Sequence, residues 1–117
     1  MVNRAALILK YKEPAVRWIN AVDPCPDTPQ ISIDEANEER TVYLISDEDA
    51  DTSDDVKRWV RRNFRELFET ELEDWYEAPH LWPENRTFKM FNEWFEIECH
   101  TVLIDTVGDP IFDDEIE

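Results

Sequence analysis

Apolar positions along this chain fall into short runs with the period of a strand and longer stretches with the period of a helix. Ala5-Ala6-Leu7-Ile8-Leu9 is a continuous apolar run near the start and predicts a buried strand over residues 4–10. Pro14 follows at a place where the first turn of a helix tolerates it, and Val16 and Ile19, with Trp18 and Val22, mark the stripe of a short helix to about Val22. Pro24, Pro26 and Pro29 remove backbone donors and push their predecessors extended, so 23–29 is irregular. Ser32-Ile33-Asp34-Glu35 has the spacing of a capping box and predicts a helical turn. Thr41-Val42-Tyr43-Leu44-Ile45, β-branched and aromatic, predicts a second strand, followed by an acidic loop over 46–52.

From Ser53 the pattern is helical. Val56, Trp59, Val60, Phe64, Leu67, Phe68, Leu72, Trp75 and Tyr76 follow one face of an α-helix. Charge predicts a bend or break near residue 69. Asp54 and Asp55 open the pattern and Lys57, Arg58, Arg61, Arg62 and Arg65 follow, which suits a helix ending near Phe68. Thr70-Glu71-Leu72-Glu73 then reads as a fresh capping box. A single helix would instead set Glu69, Glu71, Glu73, Asp74 and Glu77 at its negative end. After a loop with Pro79 and Pro83, Phe88, Phe91 and Trp94 mark another helix, and the period then switches to two. Residues 96–104 are read as a long strand, apolar on both faces toward its end and therefore central in the sheet.

These elements predict an α+β, or small α/β, fold: a three-stranded sheet covered by about four helices in the order β-α-(short α)-β-α-α-α-β. Residues 1–110 are expected to form one acidic globular domain and 111–117 an acidic C-terminal tail. The last strand can pair parallel or antiparallel.

Composition changes the picture in one respect. Asp and Glu number 29 against 12 Lys and Arg, a formal net charge of −17, yet aromatic residues make up 12% of the 117. High charge alone suggests disorder, and that aromatic content restores the expectation of a packed core. The charge argues against nucleic acid as a direct ligand and against docking on anionic membranes, and favours basic proteins or cations. The blander account is solubility, with adaptation to high salt as a further one. Two cysteines, Cys25 and Cys99, are too few for a disulfide framework and read as thiols of a cytoplasmic protein. The opening apolar run is too short for a signal-peptide core, and no stretch has the length of a membrane span.

Candidate chemistry is sparse. A single glycine, Gly108, excludes phosphate-cradling loops and dinucleotide fingerprints. Asp47, Asp49, Asp51, Ser53 and Asp55 have the spacing of calcium-loop oxygens, but Thr52 stands where the turn wants Gly and Arg58 where a bidentate Glu is needed. With parallel strands, Asp47, Asp49 and Asp105 would meet at one sheet edge and could hold a metal ion, or could pair with Lys10 and Lys12 beside them. Cys25, Cys99, His80 and His100 lack zinc-ligand spacing, and Cys99 and His100 point to opposite faces of one strand. No activating motif surrounds Cys25 for a Cys–His pair with His80 or His100. Trp75, Tyr76, Trp82, Phe88 and Trp94, near Glu73, Asp74 and Glu77, could form an aromatic–acidic pocket for a cation, or could simply be core. Trp82, on a loop, is the aromatic expected to be most exposed.

The sequence therefore points to a small acidic cytoplasmic protein without cofactor, a non-enzymatic module binding a basic protein. Its expected contacts are Asp47, Glu48, Asp49, Asp51, Asp54, Asp55 and Trp82. The alternative is a small metal-assisted hydrolase using Asp47, Asp49 and Asp105.

Overall fold

A computed structural model describes residues 1–22 and 29–113. Strand β1 (Arg4–Tyr11) leads into helix α1 (Glu13–Val22), the single turn α2 (Ile33–Ala36) and strand β2 (Val42–Ser46). A 3-10 turn at Asp47–Ala50 precedes helix α3 (Ser53–Trp75), and a second at Pro79–Leu81 precedes helix α4 (Phe88–Trp94) and strand β3 (Phe95–His100). The fold is α+β. Cys25 and most of the proline-rich stretch lie outside the described residues, as do 114–117 of the tail.

The sheet order is β2-β1-β3 with both pairings antiparallel. The central strand is thus β1, and its continuous apolar run fits that place. Ala5, Leu7, Leu9 and Tyr11 are buried on the face that meets the helices. Phe68 of α3, wholly buried, is the hub of that contact, with ring centroids 5.9 Å from Phe91, 5.3 Å from Trp94 and 5.4 Å from Phe95. Offset and edge-to-face geometries of this kind let aromatic rings fill a small core densely.

Two expectations are corrected. The last strand is neither central nor nine residues long. It stops at His100 on the edge of the sheet, and Val102 and Ile104 beyond it are 66% and 73% exposed. Its apolar pattern on both faces does not report burial on both faces. The ladder ends with Ala6 opposite His100 although β1 itself runs back to Arg4; one further bond, Val2 N–H to Leu103 O at 2.9 Å, holds the chain beside the sheet.

Helix α3, second, has no break near 69 and runs for 23 residues. Thr52 and Asp55 form its capping box. Thr70 caps nothing: its hydroxyl donates to Glu66 O, one turn back inside the helix, at 2.8 Å. The dipole is felt only within the last turn, where Glu73 and Asp74 cost ~0.3–1 kcal/mol each, together ~2 kcal/mol at most, whereas unseating one buried leucine costs ~1.5–3 kcal/mol and would also strip Glu71 of its partners. Continuing the helix keeps Leu72 (1% exposed) in the core and Glu71 against the sheet, so packing prevails over the dipole.

Candidate functional site

Where α3 ends, it carries a buried carboxylate to the sheet. Glu71 is 4% exposed, the one charged residue buried among the described residues. Tyr11, last residue of β1, donates its hydroxyl to Glu71 Oε1 at 2.9 Å, and Tyr43 of β2 donates to Oε2. Trp75, one turn on, donates its indole N–H to the Tyr11 hydroxyl at 2.8 Å. Tyr11, Tyr43 and the Glu71–Trp75 pair come from three separate elements, so the network exists only in the folded state. Burial pushes the Glu71 carboxyl above the usual carboxylate range, opposed by the two hydroxyl bonds. Burial first and Glu71 second raise both tyrosines, which therefore stay protonated as donors.

This network floors a cleft of about 590 Å³, within the ~300–1,000 Å³ usual for small-ligand sites. Its second wall is α2 and the chain leading into β2. That wall is clamped by Asn37, which accepts from Tyr11 N–H at 2.8 Å and donates to Tyr11 O at 3.1 Å. Ser32 and Glu35 form the predicted capping box that starts α2. Across the mouth, Thr41 donates to Asp74 Oδ2 at 3.4 Å.

The electrostatics are one-sided. Glu35, Glu38, Glu39, Glu71 and Asp74 line the cleft, with Arg40 as its sole basic residue. Arg40 reaches out of it toward Glu98, 3.7 Å away. The last turn of α3 holds no basic residue, so the partial negative charge of its terminal carbonyls adds to that of the carboxylates.

The residues expected to bind a partner lie elsewhere. Asp47, Glu48 and Asp49 sit in the 3-10 turn after β2. Asp49 is 3.6 Å from Arg62, and Asp55 is paired with Arg58 while accepting from the Thr52 backbone at 3.1 Å. The Thr52 hydroxyl and Arg58 hold the Asp55 carboxyl below its ordinary value. Glu48, Asp51 and Asp54 are exposed, as is Asp47. Trp82 is half-buried rather than exposed: its indole donates to Tyr76 O at 2.7 Å, and Arg86 lies 5.7 Å over its ring. It covers the core as a lid.

The antiparallel sheet also overturns the premise of a shared strand edge. Asp47 and Asp105 follow strands that run toward the start of β1, so Lys10 and Lys12 stand at the opposite end. Among the described residues no group of three His, Cys, Asp or Glu could hold a metal ion, so Asp47, Asp49 and Asp105 do not form the expected set. Cys99 is half-buried on the helix side with its thiol raised by burial, which disfavours the thiolate. His100 is exposed on the other face, 3.1 Å from Glu98.

Of the aromatic–acidic pocket read from the sequence, Trp75 and Asp74 line the cleft; Trp94 is core and Phe88 packs beside Phe64 and Phe91. Glu71, Tyr11 and Tyr43 carried no individual signal. The signal present was the unfavourable acidic end of a helical pattern.

No helix among the described residues is long and apolar enough to cross a membrane. Comparison with protein-family models, with curated proteins and with solved structures returns no match.

Proposed function

We propose that this protein is a non-enzymatic, cytoplasmic binding module for a basic protein, and that the partner presents a Lys or Arg side chain to the cleft at the end of α3. One observation carries the reading: an acidic helix C-terminus, with no basic residue in its last turn, opens into a concave site lined by further carboxylates. A local rule of helix design is broken there, and such violations tend to mark functional sites. A bound cation would relieve the repulsion among Glu38, Glu39 and Asp74. The flank of Trp75 offers apolar and π surface to the stem of that side chain. The exposed acids Asp47, Glu48, Asp51 and Asp54 add long-range attraction that speeds encounter.

Titration with polyarginine and polylysine peptides, followed by tryptophan fluorescence and calorimetry, tests this. Binding should weaken steeply with salt. The double variant Glu38→Gln/Asp74→Asn should lose about tenfold in affinity, roughly 1.4 kcal/mol. Asp47→Asn with Asp51→Asn should slow association and leave dissociation unchanged. Equal affinity in the cleft variant and the parent would remove the cleft from the account.

A further inference from the structure

The helices cover one face of the sheet, and among the described residues no helix or strand covers the opposite face, where Ile8 is half-buried and only the small Ala6 is buried. On it, Ala6 lies between Leu44 and His100, and Ile8 between Val42 and Glu98. Val42 and Leu44 are 51% and 54% exposed, neighbouring apolar side chains on a strand at the sheet edge. The charge here differs from the rest of the molecule. Arg4 and Lys10 on β1 balance Glu96 and Glu98 on β3, and Arg40 reaches Glu98, so this face is neutral to basic in a chain of net charge −17. Two copies repel each other over most of their surface and least here.

The same chain carries a segment that fits this face. Beyond β3, residues 101–113 form no helix or strand, and Val102, Ile104, Val107, Ile111 and Phe112 are 66–81% exposed. Such a series of uncovered apolar side chains is costly in water. The segment holds no Lys or Arg and carries Asp105, Asp109 and Asp113, a charge opposite to that of Arg4 and Lys10. Size decides between simple face-to-face packing and an exchange of segments. Three strands of about five residues present only roughly 14 Å by 17 Å, well below the ~800 Å² per partner of a stable interface. An extended segment of this length reaches roughly 40 Å, which makes up the deficit.

We infer that the open sheet face is the seat of a second copy of this chain, in a reciprocal dimer where residues 101–113 of each copy cross the Val42–Leu44–Ile8 surface of the other. The apolar side chains supply the contact, and the aspartates reach Arg4 and Lys10.

Sedimentation velocity of the full chain over a concentration series, at ~0.15 M salt to screen the net charge, tests it. The expected mass is twice the 14.0 kDa of one chain. Val42→Thr/Leu44→Thr on the sheet and Ile111→Ser/Phe112→Ser on the segment should each raise the dimer dissociation constant at least about tenfold, a loss of roughly 1.4 kcal/mol. All four positions are more than half exposed, so circular dichroism should report an unchanged fold. Asp74→Asn, in the cleft, should leave the dimer intact, which separates this surface from the cleft. A single 14.0 kDa species at every concentration overturns the proposal, including the case where the segment covers its own sheet. So does a dimer indifferent to either double variant.

Discussion

The Tyr11 hydroxyl, at the end of the central strand, donates to Glu71 Oε1, in the penultimate turn of the long helix, over 2.9 Å and 60 positions of sequence. The bond ties the sheet to the helix where the cleft opens. It also holds a carboxylate out of water, which is tolerated only while its oxygens are hydrogen-bonded. Among the described residues no buried side-chain nitrogen or oxygen lacks a partner.

Removing that carboxylate should therefore cost more than removing its charge. Glu71→Leu leaves Tyr11 without an acceptor and should destabilise by about 2 kcal/mol. Glu71→Gln keeps an acceptor and the shape, and should lie within about 1 kcal/mol of the parent at neutral pH. Urea unfolding midpoints of the two variants distinguish them.

The pH dependence has a definite sign. The Glu71 carboxyl is raised, so the folded chain holds this proton more tightly than the unfolded chain. Its contribution to stability is complete below the unfolded value of about 4.3 and is lost as pH rises through the higher folded value. Glu71→Gln lacks this titration. The stability of the variant relative to the parent should thus rise with pH from about 4 upward and then level off, measured by unfolding at a series of pH values. A difference that stays flat with pH would show that Glu71 does not titrate abnormally.

At the helix end, stability and binding should move in opposite directions. Glu73 is exposed in the final turns of α3 and makes no cap. Glu73→Lys places a cation beside the terminal carbonyls and should stabilise by about 0.3–1 kcal/mol. The same change reduces the negative potential at the cleft mouth and should weaken peptide binding. Thermal unfolding and peptide titration on the one variant check both. A Glu73→Lys protein that is less stable would contradict the dipole argument.

The capping box at the other end of α3 predicts a modest, local effect. Thr52→Ala removes the acceptor for Asp55 N–H and should cost about 1 kcal/mol. Phe68→Ala, by contrast, empties the centre of the aromatic core and should cost about 3–5 kcal/mol, enough to threaten folding of a domain this size. Chemical denaturation of the two variants gives the ratio.

What the sequence alone determined was local. Ala5–Leu9 reads as a core strand because burial is what stabilises a continuous apolar run, and all of it but Ile8 is buried. Ser32 with Glu35 starts a helical turn because side-chain and backbone groups three residues apart satisfy each other. The stripe from Val56 to Trp75 fixed a helix and its buried face through the 3.6-residue period. Nothing local fixed which strand lies in the middle, because Ala5–Leu9 and Val102–Ile104 look equally apolar; the antiparallel pairing of both neighbours with β1 decided it. Nor did charge spacing locate the cleft. Asp47 to Asp55 is the denser acidic run, but Arg58 and Arg62 fold back onto part of it. Glu71 looked like the start of a new helix until Leu72 and the sheet held the old one straight. Tertiary packing decided that point, since burying Leu72 and satisfying Glu71 outweigh the repulsion at a helix end, and the same choice creates the acidic cleft.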